Sequence, residues 1–557
     1  MKGFLLKYHR LLFYSAWLIL LCIQSANTEL FDDEAYYWVY SKFPAWGYFD
    51  HPPAIAILIK AGYGIFHNEF GVRLLTIILS VLSLLIIETL TEKKNPFLFY
   101  AICGSLGIAQ IGGMIAVPDA PLIFFIALFF FIYKRFERDM SLTNTLLIGL
   151  AIALMFYTKY HAILIVLFTG LSNLKLLRSW QIYTACIFAF LLYFPHVYWQ
   201  HINGYPSFQF HLVERNAAQF RLRNIIEFVM GQLLIAGPLM GWLLIIAAFL
   251  YKPASVMERA LKFTFAGIFL FFFFISFRGK TEANWTIPSF IGIIVLSHQY
   301  LTTHITLRKI LYTALPGTLI LVGIARIIMI SELPPAWWIF KDEFHENKNF
   351  VKQVHSRAKE NPVVFIDTYQ KPSKYWFYSG DTGLALNTTT YRRNNYNFWP
   401  IEETYIGRAA YVFGQYDRYY FNNGFILRNG DRNGGRLMPC YFSFSKVRIG
   451  AIEINRIDSN QLAVSFTTTT PLNYLVYFET APYDTASVFL TVYKKNKVVK
   501  YIPSEMTVKD IVNEVQHNIV SFSVAMPKGE YECKLAISTC LPGWPSLNSS
   551  RFKVTVN

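Results

Sequence analysis

Residues 30–53, LFDDEAYYWVYSKFPAWGYFDHPP, place a group of acids among aromatic residues directly after the first long apolar run of the chain. The ionisable side chains of interest in this stretch are Asp32, Asp33, Glu34, Asp50 and His51. Carboxylates this close to a membrane are costly unless they face water, a cation or a substrate. The stretch follows the predicted exit of a span and does not interrupt one. We therefore interpret it as the active-site loop of a membrane enzyme.

The composition is that of a membrane protein. The chain has 557 residues, of which 54% are hydrophobic, and its mean hydropathy is +0.33. Repeated runs of about 20 apolar residues predict a polytopic α-helical membrane protein. The formal net charge of +16 fits Lys and Arg residues concentrated in short cytoplasmic loops and near anionic headgroups. No nucleic-acid-binding motif accompanies that charge, so we expect no nucleic acid partner.

Hydropathy predicts about 11 transmembrane helices. The predicted spans are approximately 11–27, 71–90, 97–116, 119–133, 144–158, 160–174, 181–199, 225–250, 260–276, 285–301 and 310–330. Lys2, Lys7 and Arg10 precede the first span, which predicts a cytoplasmic N-terminus. The alternative for this first run is a cleaved signal peptide ending near Ser25 and Ala26. An odd number of spans puts the C-terminal part on the outer side of the membrane.

The charges of the loops agree with this topology. The basic loops of the predicted inner side contain Lys93 and Lys94, Lys134 to Arg138, Lys175 and Arg178, Lys252 and Arg259, and Arg308 and Lys309. The loops of the predicted outer side are 28–70, 117–121, 158–161, 201–224 and 278–285. Every polar cluster suited to chemistry falls on that outer side. This agreement supports the topology, because the spans were assigned from hydropathy alone.

The apolar runs stop after Ser331. We therefore expect a transmembrane domain at 1–330 and two outer domains, a mixed α/β domain at 331–440 and a β-rich domain at 441–557. Residues 363–366 resemble a buried strand, and short alternating stretches after 441 predict a β-sandwich.

Three of the cysteines lie in this outer part. If this part is extracytoplasmic, one disulfide can form there, with Cys533–Cys540 as the leading pair, and three cysteines leave one unpaired. No Cys/His spacing typical of a zinc site occurs. A phosphate-binding GxxxxGK[ST] loop is missing, which argues against a nucleotide-driven pump, and a GxSxG elbow is missing as well.

Two interpretations apply to the acids that open the loop. Asp33 could take a proton from an acceptor hydroxyl, with Glu34 beside it, while Tyr36 and its aromatic neighbours pack on a sugar face. Alternatively, Asp32 and Asp33 could cap a helix that begins at Glu34. Both interpretations can hold if one aspartate caps and the other reacts.

Two further acids follow a similar logic. Asp50 and His51 precede two prolines that stiffen the backbone, and both side chains suit a divalent cation or a metal-bound phosphate. The alternative is a turn with a solvated aspartate. Asp119 lies between Pro118 and Pro121, where an apolar run begins. It could act as a catalytic acid or a third metal ligand, or it could cap a helix. No cofactor is required by these residues, and a divalent metal at Asp50, His51 and Asp119 stays open.

The predicted outer side also carries basic residues, although such residues generally concentrate on the cytoplasmic side. Lys159, His161 and Lys280 could reach toward lipid headgroups or hold the phosphate of a lipid-linked substrate. His201, His211 and Arg215 lie in the next outer loop and could shape an acceptor site.

Six motifs in order along the chain resemble the bacterial GT-C polyprenyl-phosphate-sugar glycosyltransferases. They are DDEAYYW at 32–38, GYFDHPP at 47–53, VPDAP at 117–121, YTKYH at 157–161, HINGYPSF at 201–208 and GKTEANW at 279–285. The resemblance covers roughly 1–330 and includes the protein mannosyltransferase-like group and the lipid A aminoarabinose transferase. It implies a sugar donor on a polyprenyl phosphate, transfer on the periplasmic face, and usually inversion at the anomeric carbon.

The resemblance also implies roles for single residues. Asp33 matches the catalytic aspartate of the first outer loop, and Glu34 completes its acidic pair. Asp50 matches the acid before the proline pair, and Asp119 matches the aspartate of the second outer loop. Lys159 and Lys280 fall where some members hold the lipid phosphate. The aminoarabinose transferase carries a basic residue where this chain has His51, so the donor sugar and the lipid, glycan or protein acceptor stay open.

Two other function classes compete with a glycosyltransferase. A transporter or lipid-linked sugar flippase would place its ionisable residues near the membrane midplane, commonly in repeated halves. This chain places its acids at the outer ends of the spans. A surface assembly or adhesion protein would explain 441–557 but not the acidic loop. The sequence therefore favours a membrane glycosyltransferase with its active site on the outer face.

Overall fold

The computed structural model describes residues 2–214, 220–331, 342–415, 417, 421–457, 461–494, 497–524 and 526–556. The chain divides into two compact units, Met1–His345 and Glu346–Asn557. We call them the membrane unit and the C-terminal unit and describe each by itself. The predicted site residue Arg215 lies outside the described residues.

The membrane unit is helical. Its helices are α1 (Lys2–Ala26), α2 (Asp32–Lys42), α3 (Ala54–Tyr63), α4 (Glu69–Leu90), α5 (Pro96–Ser105), α6 (Gly107–Ile111), α7 (Asp119–Phe136), α8 (Leu142–Thr158), α9 (Ala162–Ser172), α10 (Trp180–Ile202), α11 (Pro206–Phe208), α12 (Leu222–Ala236), α13 (Gly241–Leu250), α14 (Val256–Ser276), α15 (Phe290–Thr303) and α16 (Ile305–Ile330). An apolar core runs through most of them, including α1, α4, α7, α8, α14 and α15. Each predicted span coincides with one helix or with two consecutive helices separated by a break.

The predicted number of spans is not confirmed. Among the described residues, five helices are long and apolar enough to cross a membrane, or six if one bent pair counts as a single span. The five are Leu6–Ala26 within α1, α4, α10, α14 and α16. The shorter apolar helices α5, α8 and α9 have only 10 to 17 residues. About 20 residues are needed for a perpendicular crossing of about 30 Å, so these shorter helices do not reach the length of a full single span.

Two predicted spans are interrupted. The span at 97–116 breaks at Leu106, which has extended backbone angles between α5 and α6. The span at 225–250 bends by 95° between α12 and α13. Gly237 lies at that bend with φ +125°, and a Cβ there would lie 2.1 Å from the Ser105 carbonyl oxygen. Only glycine fits both the angle and the close approach.

Long-range polar contacts join predicted outer loops to outer loops and inner loops to inner loops. On the predicted outer side, Asp119 contacts Lys159 and Asn284. On the predicted inner side, Lys134 lies 3.6 Å from Glu92. Each of these contacts joins loops that the sequence assigns to the same side, and the orientation of the two sides stays a prediction.

The C-terminal unit begins with an α/β part. It contains α17 (Asn347–Ala358), β1 (Val363–Ile366), α18 (Gln370–Ser379), β2 (Gly383–Leu386), β3 (Ala410–Gln415), β4 (Phe425–Ile426) and β5 (Arg432–Met438). The strand order is β2-β1-β3-β5-β4. β1 pairs in parallel with β2 and β3, and its four residues are all buried, as the apolar sequence predicts. The later pairs are antiparallel.

Two antiparallel sheets follow. Their elements are β6 (Arg448–Ile457), β7 (Gln461–Thr469), α19 (Leu472–Phe478), β8 (Ser487–Lys494), β9 (Lys497–Thr507), β10 (Val515–Ser523), β11 (Gly529–Ile537) and β12 (Phe552–Val556). The sheets have the orders β10-β7-β6 and β12-β11-β8-β9. Alternate side chains of both sheets, such as Val464 and Leu490, enter one apolar core. This is the predicted sandwich arrangement.

The expected disulfide is not formed, because all six cysteines are free. Cys533 lies in the middle of β11 with its side chain in the sandwich core. The strand continues to Ile537 before the chain turns toward Cys540.

A buried carboxylate joins the α/β part to the sandwich. Glu402 accepts hydrogen bonds from the Ser443 hydroxyl, from the Ser445 amide at 3.2 Å and hydroxyl at 2.6 Å, and from the Tyr474 hydroxyl at 2.8 Å. Its side chain is buried. The predicted boundary between 440 and 441 crosses this network inside one compact unit. The division into three domains stays a prediction.

Replacing Glu402 by Ala is expected to destabilise the C-terminal unit by about 3 kcal/mol, because several buried donors lose their acceptor. The measurement is thermal unfolding of the purified full chain, followed by pulse proteolysis of the C-terminal unit. Glu403→Ala is the matched control. It removes an ion pair with Lys446 that is partly exposed, and we expect a loss below about 1 kcal/mol. Equal unfolding temperatures for both variants would contradict the inferred role of Glu402.

Candidate functional site

Asp33 lies in the first turn of α2. The N-cap is Phe31, whose backbone is already extended, so the helix begins at Asp32 and neither aspartate is its cap. The expectation of an aspartate cap is therefore wrong for this helix. Glu34 takes that task, since its carboxylate accepts the Phe31 amide at 2.9 Å. Acids in the first turn also interact favourably with the helix dipole. Asp33 is half-buried, whereas Glu34 is fully buried.

Glu34 forms a buried ion pair with Arg73 of α4. The two N–O distances are 2.8 Å and 2.5 Å, and neither side chain is exposed. The remaining guanidinium donors bind the backbone carbonyls of Ser25, Thr28 and Glu29 at 2.7–3.0 Å. All five N–H donors of the arginine are thereby used. The pair fixes the start of α2 against the end of α1.

The same carboxylate reaches the second outer loop. Glu34 accepts the backbone amide of Ala116 at 2.7 Å, three residues before Asp119. One buried side chain therefore joins the loop that carries Asp33 to the loop that carries Asp119. Sequence reasoning missed Arg73, although an arginine near the start of an apolar span is itself a signal.

Asp119 pairs with Lys159 across 40 residues of sequence. The Lys159 ammonium lies 2.7 Å from one carboxylate oxygen, and the Asn284 amide donates to the other at 3.2 Å. Both charged side chains are buried. Three predicted outer loops therefore meet at this pair. Asp119 is also the first residue of α7.

Asp50 is buried among aromatic residues. Its carboxylate accepts a hydrogen bond from the Tyr40 hydroxyl. Burial, and then the adjacent Asp50 charge, raise the pKa of Tyr40 well above its usual value. Tyr40 therefore stays a donor at neutral pH. Its ring packs edge-on to Tyr36 at 4.8 Å, and the His51 ring packs edge-on to Tyr37 at 5.4 Å.

The remaining predicted site residues make fewer contacts with other site residues. The His161 ring packs against Phe272 and Trp285 at 5.3 Å and 5.7 Å. His201 is exposed and bonds Tyr205 at 2.9 Å. The Lys280 side chain is 65% exposed and pairs with Glu282 at 3.2 Å. The structure therefore gathers Glu34, Asp119 and Lys159 through buried contacts, and it leaves Lys280 and His201 exposed.

The predicted metal ligands do not form a metal site. Within the described part of the chain, no three His, Cys, Asp or Glu side chains lie together as ligands. Asp119 is committed to Lys159, and an ammonium next to a carboxylate opposes a second cation. Asp50, His51 and Asp119 therefore do not fit a protein-held divalent ion, and no step below uses one.

A family model matches residues 50–199 and is described as dolichyl-phosphate-mannose-protein mannosyltransferase. The lipid A galacturonosyltransferase RgtD of Rhizobium johnstonii is 25% identical over 288 residues, which are 48% of this chain and 60% of the relative. The alignment thus spans less than two thirds of that relative's length.

Two solved structures share the fold. ArnT from Cupriavidus metallidurans in the apo state has a TM-score of 0.58 at 11% identity, over 77% of this chain and 98% of ArnT. ArnT bound to undecaprenyl phosphate has a TM-score of 0.57 at 12% identity, over 76% of this chain and 97% of ArnT. The matches agree with the resemblance carried by the sequence motifs. In sequence this chain is therefore similar to a mannosyltransferase family model and to a galacturonosyltransferase, and in fold it is similar to ArnT.

Proposed function

We propose that this protein is an integral-membrane glycosyltransferase that moves a sugar from a polyprenyl phosphate to an acceptor at the outer face of a bacterial inner membrane. The observation that carries the proposal is the buried Asp119–Lys159 pair, at which three predicted outer loops meet. A buried cation at the outer membrane edge suits a lipid phosphate, and the related ArnT fold has been solved with undecaprenyl phosphate bound.

The reaction needs no nucleotide. The acceptor hydroxyl oxygen attacks the anomeric carbon, and the bond from that carbon to the phosphate oxygen breaks. The electron pair of the broken bond leaves with the polyprenyl phosphate, and the hydroxyl proton goes to a protein base. Attack from the face opposite the phosphate inverts the anomeric centre. The protein must therefore supply one base and a cation for the departing phosphate.

Asp33 is the proposed base. It is half-buried at the start of α2, so its carboxylate can meet an acceptor from the aqueous side. Glu34 is less suited to proton transfer, because both of its oxygens already accept hydrogen bonds from Arg73 and from backbone amides. We assign Glu34 to positioning Asp33, which differs from the catalytic role expected from the sequence. Asp50 and Tyr36 line the aromatic region beside it and are proposed to contact the sugar.

Lys159 is the proposed phosphate ligand. An ammonium has three N–H donors, and the ion pair with Asp119 uses one of them. A phosphate oxygen can therefore bind Lys159 while the pair stays intact. Asp119 and Asn284 hold the ammonium in place. Lys280 and His161 are secondary candidates at the same membrane edge.

Replacing Lys159 by Met is expected to raise the KM for the lipid donor roughly 10- to 100-fold, since a charge-assisted hydrogen bond contributes about 1.5–3 kcal/mol. The measurement is transfer by the purified protein at varied donor concentration. The double variant Asp119→Asn, Lys159→Met avoids a stranded buried carboxylate and should show the same increase. Lys280→Met should change the KM less than about threefold, because an exposed pair is screened by water. A larger effect at Lys280 than at Lys159 would contradict this assignment.

The name of one relative, a lipid A galacturonosyltransferase, supports a choice of acceptor class. We propose a glycolipid of the lipid A type as the first acceptor to test, with other glycans and proteins as further candidates. The donor sugar is to be identified in the same experiment.

The decisive experiment is mass spectrometry of lipids and glycans from a deletion strain complemented by the wild-type chain or by Asp33→Asn. We expect the deletion to lose one sugar from lipid A or another acceptor and to accumulate its polyprenyl-phosphate donor. Only the wild-type chain should restore the sugar. Unchanged glycans in the deletion strain would reject the transferase and favour a transporter. Full restoration by Asp33→Asn would reject Asp33 as the base.

A further inference from the structure

Residues 43–53 connect α2 to α3, and we call them the Asp50 loop. Side chains from a single distant segment bind the backbone of this loop. The carbonyl of Trp46 accepts from His196 Nδ1 at 2.7 Å, and that of Tyr48 accepts from the Ser207 hydroxyl at 2.9 Å. The carbonyl of Asp50 accepts from His211 Nε2 at 3.0 Å. The segment from 196 to 211 therefore binds this loop at every second residue.

A buried network supports these contacts. The Gln200 amide donates to the Ser207 hydroxyl at 2.7 Å and to the Tyr160 hydroxyl at 3.1 Å. Tyr160 in turn lies 3.1 Å from His196 Nε2. A carbonyl only accepts, so Nδ1 of His196 carries a proton, and in the neutral ring Nε2 accepts from its neighbours. The directions of the hydrogen bonds at His196 follow for that neutral form.

The loop and α10 are also in close contact. A Cβ on Gly47 would lie 2.5 Å from the Trp199 ring and 2.9 Å from the His196 ring. The side chains of His196, Gln200 and Ser207 are all buried. Little space is left for the loop to move without breaking these hydrogen bonds.

We propose that His196, Ser207 and His211 are positioning residues that hold the Asp50 loop, and through it the Asp50 carboxylate, in the geometry needed for transfer. The proposal rests on the proposed transferase function. None of the three residues is placed against the reacting atoms. Tyr160 belongs to this network and directly follows Lys159 in the sequence. The short connection between α8 and α9 therefore contacts the network that holds the Asp50 loop and also carries the proposed phosphate-binding lysine.

The two histidines allow a test with conservative substitutions that should give opposite results. The Asn amide nitrogen lies near the position of a histidine Nδ1, and that of Gln lies near Nε2. His196 donates through Nδ1, so His196→Asn should preserve the contact and His196→Gln should break it. His211 donates through Nε2, so His211→Gln should preserve the contact and His211→Asn should break it. Ser207→Thr and Ser207→Ala form the third pair.

The first readout is independent of enzymatic activity. Ala45 is exposed next to the loop, and the rate at which a maleimide labels Ala45→Cys in the purified full chain reports the order of the loop. Labelling of the parent chain without this substitution is subtracted. Each contact-breaking variant should label about fivefold faster, because the loss of one hydrogen bond shifts local opening by about that factor. The contact-preserving variants should stay within about twofold.

The second readout is transfer kinetics. The contact-breaking variants should lower kcat about tenfold, with a donor KM within about threefold, because a misplaced group slows the reaction more than it weakens binding of the lipid. His304 is the matched control, since its Nδ1 also binds a carbonyl, that of Tyr300, at 2.8 Å. Both His304→Asn and His304→Gln should behave as the parent chain in both readouts.

The outcomes separate the two proposals. Equal labelling rates for contact-breaking and contact-preserving variants would overturn the positioning role, whatever the enzyme does. If labelling follows the expected pattern but kcat does not change in an active enzyme, the positioning role is also overturned. If labelling follows the pattern and the parent chain transfers no sugar, the transferase function fails while the loop contacts stand.

Discussion

Replacing Asp33 by Asn is expected to lower kcat for sugar transfer at least about 100-fold, since general base catalysis contributes roughly 10²- to 10⁴-fold. The amide has nearly the shape of the carboxylate but cannot take the acceptor proton. Donor binding should change little, because Asp33 lies on a different loop from Lys159. The measurement is the rate at saturating donor and acceptor, with donor affinity determined separately.

Asp32→Asn is the matched control for that prediction. Asp32 precedes Asp33 in the same first turn of α2 and is similarly half-buried. Its replacement changes the local charge by the same amount, so any general electrostatic effect appears in both variants. We expect Asp32→Asn to retain at least about a tenth of the wild-type rate. Equal losses in the two variants would show that charge near the helix terminus matters and that Asp33 is not a specific base.

Replacing Arg73 by Met is expected to destabilise the membrane unit by about 3–5 kcal/mol, the usual cost of removing one partner of a buried ion pair. The variant would leave the Glu34 carboxylate buried without its cation and would remove the donors for three backbone carbonyls. Arg73→Lys should recover only part of this loss, because an ammonium has three donors where the guanidinium uses five. The measurement is thermal unfolding in detergent, with the yield of folded protein from membranes.

The control for Arg73 is Arg223→Met on the surface of α12. Arg223 pairs with Glu227 one helical turn away and is 84% exposed, so its loss should cost no more than about 0.5 kcal/mol. The double variant Glu34→Leu, Arg73→Met should be more stable than Arg73→Met alone, because no charge then remains buried. If Arg73→Met and Arg223→Met unfold at the same temperature, the buried pair does not hold the loop.

These two predictions are linked by Glu34. Its carboxylate binds Arg73, the start of α2 and the amide of Ala116, so it connects the loop of Asp33 with that of Asp119. Loss of Arg73 should therefore also lower transfer in any protein that still folds. The two acids of the sequence motif thus have different proposed roles. Asp33 is proposed to react, and Glu34 is proposed to hold the loops together.

Much of the helical architecture could be predicted from the sequence. Each apolar run becomes a helix or a broken pair, and the predicted strands at 363–366 and after 461 form as expected. The reason is that apolar runs and the alternation of apolar and polar residues are local features of the sequence. They directly reflect whether neighbouring side chains are buried or exposed. The interruptions at Leu106 and Gly237 could not be predicted in this way, because the bend at Gly237 depends on Ser105, a residue far away in sequence.

The candidate site shows the same division. The sequence by itself determined which residues lie near the ends of the apolar helices, because the apolar runs fix those ends, and it predicted from the loop charges which ends face outward. Only the tertiary structure decided their partners: Lys159 with Asp119, Glu34 with Arg73, and the Asp50 carbonyl with His211. It also decided that Cys533 stays free and that no metal triad forms in the described part of the chain. The physical reason is that a hydrogen bond or an ion pair depends on distances of about 3 Å between atoms, which spacing along a chain cannot specify when its helices come together from distant positions.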